Sequence, residues 1–294
     1  MPAIEFANSF GSSVHHLVSG SYTNKTLFLL ALDTIAKTLT QNATVPGFGL
    51  HQFVTSNAAK DRVYATAMSE PPQLFSWSVD ENYQFTHIDT VNITSSSCYF
   101  SDDGNLAFSS GGSTAAIHAL TENGAIGDQI QELYMLPEEE IKNVNKTRAA
   151  VLYGAHAFDI NVNRKGFVPH FNTVQMSRDG KYLFTSTRSW NNTEANGYVA
   201  TFALNDDGLL KSEKAVAFYE APVTLGSAGG LRVAPWQDET NCDPNGITDY
   251  MYLSDTSEGW LYILGWTPSN HTLDVVASLH YPDNSKPYEA TWLD

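Results

Sequence analysis

Between Thr173 and Phe218 apolar and polar residues alternate in short runs. Each run is closed by a turn signal, Arg178-Asp179-Gly180 first and Asp206-Asp207-Gly208 later. The spacing predicts four strands: A over 173–177, B over 181–187, C over 197–204 and D over 209–218, with a longer B–C loop that carries Arg188, Trp190 and Asn191. One four-stranded antiparallel unit cannot bury both of its faces, so it needs neighbours of its own kind.

Those neighbours recur along the chain. Residues 14–45 supply B, C and D strands (VHHLVSG, TLFLLAL, KTLTQNATV) with no A strand before them. Residues 51–91 supply all four. A third copy runs from Ser96 to Leu136, with Asp102-Asp103-Gly104 at its A–B turn. The last uses GGLRVAP, YMYLSD, GWLYILGW and LDVVASL, and the final YEATWLD then reads as a spare A strand. An N-terminal BCD completed by a C-terminal A fastens a closed ring of blades and removes exposed sheet edges. The fold class is therefore all-β, a β-propeller forming a single domain over residues 1–294. Two places break the rhythm. Pro137 followed by Glu138, Glu139 and Glu140 predicts a short helix. The half-blade LYGAHAFDINVNRKGFVPH stops at His170, and too few residues separate Phe167 from Leu183 to hold a C, a D and a new A strand.

Lys and Arg number 16 against 32 Asp and Glu, a net charge of −16, which repels phosphate backbones and anionic lipid. Nucleic acid and membrane are excluded as expected partners, and no apolar run approaches the ~18 residues of a membrane helix. Cys98 and Cys242 allow one disulfide or two separate thiols, and alone they cannot form a metal cluster. Six Asn-x-Thr sequons start at Asn24, Asn42, Asn92, Asn145, Asn191 and Asn270. The N-terminal MPAIEFANSFGSS has neither a basic nor an apolar signal region, so the expected location is cytoplasmic, with the sequons leaving an extracellular one open.

In a blade, strand A starts and strand B ends on the same face. His156 at an A start, Arg188 at a B end, Arg232 at an A start, and Glu70 and Glu258 in B–C loops should thus converge on one mouth of the channel. A guanidinium there can clamp a carboxylate bidentately. His156, beside Gly154 and Ala155, equally fits a satisfied strand histidine, and Arg188 equally fits an ion pair with Glu194 or Glu220. His15 and His16 are strand neighbours that point to opposite faces, a structural pair. Trp260, Trp266 and Trp292 read as core or inter-blade packing.

The segments HHLVSGSYT, YGAHAFD, SRDGKYLFTSTRS, NGYVATFAL, DTSEGWLYILGW and YEATWLD resemble the fungal 3-carboxy-cis,cis-muconate lactonizing enzymes, or carboxy-cis,cis-muconate cyclases, of the seven-bladed lactonase-type propellers. The resemblance implies that about one and a half blades are missing near residues 170–173. It also implies a cycloisomerase that adds a substrate carboxylate across a conjugated double bond of a small polycarboxylate to give a lactone. His156 would then move the proton, Arg188 would hold and stabilise charge, Arg232 and Glu258 would bind substrate, and no metal or other cofactor is required. Arg232 departs from the family, which carries a polar GG-His-Ser-like stretch there. A lactone hydrolase of the same superfamily and a non-catalytic interaction platform are the alternatives.

Overall fold

Period-two alternation sets the strands and left-handed glycines set several of the turns between them. Gly104, Gly180 and Gly208, each after an aspartate, have φ of 90°, 70° and 80°, a conformation that costs glycine nothing. The structure is a computed structural model that describes residues 13–67, 69–135, 170–188, 196–223, 230–236 and 246–294.

These residues form five four-stranded antiparallel blades. Blade 1 runs outward as β20 (Pro287–Trp292), β1 (Val14–Ser21), β2 (Thr26–Asp33) and β3 (Thr38–Pro46). Blade 2 is β4 (His51–Ser56), β5 (Arg62–Ala67), β6 (Gln73–Val79) and β7 (Phe85–Asn92). Blade 3 is β8 (Tyr99–Asp102), β9 (Leu106–Ser110), β10 (Thr114–Leu120) and β11 (Ile126–Tyr134). Blade 4 is β12 (His170–Met176), β13 (Tyr182–Arg188), β14 (Tyr198–Ala203) and β15 (Ala217–Glu220). Blade 5 is β16 (Leu231–Val233), β17 (Asp249–Asp255), β18 (Trp260–Thr267) and β19 (Thr272–His280). The expected ring closure is present: β20 pairs antiparallel with β1, with Leu17 opposite Trp292 and Val18 opposite Thr291.

Among the described residues the blades pack face to face in the order 4–5–1–2–3. The pleat explains how one strand serves two interfaces. On β1, Leu17 packs toward blade 5 with Tyr252, Ile263 and Trp292, while Val18 packs toward blade 2 with Val54 and Val63. On β17, Tyr252 joins the first of these cores and its neighbour Met251 joins the core shared with blade 4. Middle strands such as β17 are therefore buried along their whole length, and outer strands such as β3 are largely exposed.

Two boundaries differ from expectation. The outer strand of blade 4 is β15, not residues 209–218. Leu209 is 66% exposed, and the hairpin closes through a bridge between Leu204 and Leu210. The chain then leaves the ladder through a turn in which Lys214 N–H donates to Ser212 Oγ, and it rejoins β14 with Tyr219 opposite Val199. The inner strand begins at His170 rather than 173, with a register shift between Phe171 and Thr173. The short helix expected at Pro137, the half-blade, His156 and Cys242 lie outside the described residues. Among the described residues no helix is long and apolar enough to cross a membrane.

Candidate active site

The innermost strands β4, β8, β12, β16 and β20 surround a central cavity of about 830 Å³. All five of these blades contribute residues to its wall.

Two ionisable side chains enter from adjacent blades. Arg232 on β16 donates from Nη1 to Thr291 Oγ1 at 3.0 Å, and its guanidinium carbon lies 5.5 Å from the centre of the Phe53 ring. Glu289 on β20 is half-buried and faces the cavity. The hydroxyl of buried Tyr252, from β17 behind it, lies 2.6 Å from Glu289 Oε2 and 2.8 Å from the Ala290 carbonyl, and it accepts the Ala290 N–H at 3.0 Å. Burial raises the Glu289 carboxyl above the usual carboxylate range, against the Arg232 charge and the Tyr252 hydrogen bond, which both lower it. The same surroundings hold the Tyr252 phenol well above its ordinary value, burial first and the Glu289 charge second. Tyr252 is thus a neutral donor at neutral pH. Burial thus increases the affinity of the Glu289 carboxyl for a proton.

The backbone is shaped to admit this carboxylate. A Cβ on Gly230, at the start of β16, would lie 2.7 Å from the Tyr288 carbonyl oxygen and 2.9 Å from Glu289 Cδ, so the strands approach this closely only because position 230 is glycine. Ser254 Oγ donates to the Tyr288 carbonyl and accepts Gly230 N–H at 2.9 Å, tying β16, β17 and β20 together beneath Glu289. Across the cavity, half-buried Asp102 is also raised, chiefly by burial.

Of the residues expected from sequence, Arg232 lines this cavity. Arg188 ends β13 with its backbone opposite His170, and Leu231 opposite Leu253 marks the corresponding end of blade 5, as the A-start and B-end rule requires. Glu258 is exposed in the β17–β18 turn, with its N–H donating to Asp255 Oδ2 and its carbonyl accepting from His280 Nε2, and it does not line the cavity. Exposed Glu70 does not line it either. His15 stacks on Trp236 and His16 on Tyr83, on opposite faces of β1 as expected. Glu289 and Tyr252 were missed. The available signal was a lone carboxylate, Glu289, inside YEATW, the strand expected to close the ring. Among the described residues no three His, Cys, Asp or Glu side chains are grouped to hold a metal ion.

No family model matches the chain, and no curated protein matches it. Among solved structures it is similar to the periplasmic gluconolactonase of Pseudomonas aeruginosa, at 12% identity and a TM-score of 0.67 over 96% of this chain and 99% of that one. It also aligns with a Bacteroides fragilis protein provisionally assigned as a 6-phosphogluconolactonase (12% identity, TM-score 0.48, 100% of both chains) and with Hsv2 from Kluyveromyces lactis (12%, 0.49, 92% of this chain and 100% of that one). The first likeness establishes the β-propeller fold.

Proposed function

We propose that the chain is a lactone hydrolase whose reaction takes place in the central cavity, with Glu289 as general base, Arg232 as oxyanion stabiliser and Tyr252 as the residue that positions Glu289. The observation that carries the reading is a carboxylate with raised proton affinity, hydrogen-bonded to a neutral phenol, on the same cavity wall as a guanidinium. The fold likeness to a protein named as a gluconolactonase supports the same class of chemistry.

Glu289 accepts a proton from water as the water oxygen bonds to the lactone carbonyl carbon. Negative charge develops on the carbonyl oxygen, where a guanidinium supplies fixed positive charge in a confined space. Collapse breaks the ring C–O bond, and the departing alkoxide recovers the proton from Glu289. The product is the open hydroxy acid, and the carboxylate is regenerated.

The lining favours an uncharged, hydroxyl-rich ring. Among the described residues the cavity wall carries one cation, Arg232, against Asp102 and Glu289, and is otherwise rich in hydroxyl and amide groups such as Gln52, Thr55, Ser56 and Gln175. A polycarboxylate would meet that wall and a net charge of −16.

The cycloisomerase reading rests on the sequence resemblance and would run lactone formation in the same cavity. Three substrates separate the readings: a neutral polyhydroxy δ-lactone and a carboxylated γ-lactone followed by acid release, and 3-carboxy-cis,cis-muconate followed by loss of diene absorbance. The hydrolase reading expects acid release above the uncatalysed rate, fastest with the neutral lactone. Loss of diene absorbance without acid release from either lactone would replace it with the cycloisomerase. No turnover of any of the three would leave the non-catalytic platform.

A further inference from the structure

All six sequons carry threonine at the third position and none carries serine, although the chain holds as many serines as threonines. The reactive atom in an Asn-x-Thr sequon is the asparagine Nδ2, so its position in the fold decides which sites a folded chain can present. Four of the six lie among the described residues, and they fall into two groups.

Asn42, Asn92 and Asn270 are exposed. Asn42 sits on β3, the outer strand of blade 1, at a register shift where Leu29 faces Ala43 and Leu30 faces Gln41, so it is the extra residue of a bulge. Asn92 ends β7, the outer strand of blade 2, and Asn270 lies in the turn between β18 and β19. In each, the amide oxygen is engaged: Asn42 Oδ1 accepts from Thr40 Oγ1 at 3.2 Å, Asn92 Oδ1 from Gln73 Nε2 at 3.0 Å, and Asn270 Oδ1 from Thr272 Oγ1 at 2.9 Å. Thr272 is the hydroxyl residue of the Asn270 sequon itself. These contacts fix the amide plane and leave Nδ2 directed away from the contact, since the two amide atoms are on opposite sides of the same carbon.

Asn24 has the reverse arrangement. It is partly buried, its Nδ2 donates to Ser285 Oγ at 2.5 Å, and its Oδ1 is buried without a hydrogen-bond partner. The amide nitrogen that a glycan would occupy is what joins the β1–β2 turn to the segment before the closing strand, where Tyr22 N–H also donates to the Lys286 carbonyl at 3.0 Å.

We propose that Asn42, Asn92 and Asn270 are N-glycosylation sites and that Asn24 is not. The donor is a lipid-pyrophosphate-linked oligosaccharide. The Nδ2–C1 bond forms as the bond from C1 to the pyrophosphate oxygen breaks, the lipid pyrophosphate leaves with the bonding pair, and the amide nitrogen gives up one proton. All three glycans stand on the outer perimeter, on strands or turns remote from the innermost strands, so they leave the central cavity open. They also cover the outer strands of blades 1 and 2, which otherwise present unpaired edges.

The test uses the full chain isolated from the cells that make it. Enzymatic release of N-linked glycans in heavy-oxygen water converts each occupied asparagine to an aspartate carrying the label, read by peptide mass mapping. Label at two or three of Asn42, Asn92 and Asn270 with none at Asn24 is the expected result. Label at Asn24, or at one or none of the three, overturns the proposal. A second measurement separates occupancy from folding, because Thr44, Thr94 and Thr272 are outside the buried core. Of Thr44→Ala, Thr94→Ala and Thr272→Ala, each one that falls in a labelled sequon should remove one glycan mass, and all three should leave the melting temperature of the deglycosylated protein unchanged. Asn24→Gln should remove none and lower that temperature.

Discussion

The Tyr252 hydroxyl lies 2.6 Å from Glu289 Oε2, joining the second strand of blade 5 to the strand that closes the ring. The pair couples the fold's fastening to its candidate chemistry, because the closing strand β20 both pairs with β1 and carries the carboxylate into the cavity.

On the hydrolase reading that contact sets the acid limb of the pH profile. Glu289 must be ionised to act as base, burial raises its proton affinity, and the Tyr252 hydrogen bond lowers it. Tyr252→Phe removes the donor, so the carboxyl titrates at higher pH and the acid limb of kcat/KM moves upward. A pH–rate series on wild type and variant checks this. A merely structural Tyr252 would lower the rate at every pH without moving the limb.

In the proposed reaction Arg232 acts on the same group and on the substrate. Arg232→Ala should reduce kcat by about 10²–10³ through loss of oxyanion stabilisation. It should also raise the acid limb, because the Arg232 charge opposes the effect of burial on Glu289. Arg232→Lys should recover only part of the rate, since an ammonium replaces a planar fork. Full activity in Arg232→Lys together with an unmoved limb would remove the guanidinium from this role.

Ring closure is a matter of stability. Trp292 is 1% exposed, lies opposite Leu17, meets Trp236 edge-on at 5.6 Å and accepts Lys60 Nζ on its carbonyl at 3.0 Å. Trp292→Ala should cost about 3–5 kcal/mol, measured by urea unfolding. A cost under about 1 kcal/mol would mean that the closing strand is not fastened by this side chain.

Acid stability is expected to depend on His51. Its ring is fully buried with Nε2 2.6 Å from the Gly47 carbonyl and Nδ1 3.3 Å from the Thr66 carbonyl, and burial lowers its pKa to about 4 despite both contacts. The neutral ring has one hydrogen for two carbonyls, and the shorter contact takes it. With the folded pKa below the unfolded one, the unfolded chain binds the proton first, so His51 disfavours folding as pH falls from about 6.5 to about 4, by about 3 kcal/mol in all. Above that window the contribution is constant. Unfolding of wild type and His51→Gln between pH 7 and pH 4 checks this, and the variant should lose less stability over the interval.

The fold was legible in the sequence because its signals are local. The Asp-Gly turns at 103–104, 179–180 and 207–208 fix where strands end, and the missing A strand before Val14 identifies YEATWLD as its partner. The outer strand of blade 4 was misplaced for a reason of the same kind. Leu209 and Leu210 read as strand, but only Leu210 makes a bridge, and the ladder resumes at Ala217. The candidate site was less legible. The A-start rule expects Arg232 at the channel and Arg232 lines the cavity, whereas Glu258, expected there too, is exposed in its B–C turn beside His280. Turn membership fixes the end of a blade on which a residue lies, and not its distance from the axis. Glu289 lies in a strand already expected to be innermost, but its neighbours Tyr288, Ala290 and Trp292 carry the pattern of an ordinary buried strand, and only the structure places its side chain on the cavity wall with Arg232.

The most direct test of the central claim is acid release from a neutral polyhydroxy δ-lactone by wild type and by Glu289→Gln, with both proteins shown to unfold at the same temperature. Loss of a general base predicts a fall in kcat of about 10²–10⁴, with KM little changed because the amide keeps the shape of the carboxylate. Hydrolysis by Glu289→Gln within a few-fold of wild type would contradict the account and move the chemistry away from the Tyr252–Glu289 pair.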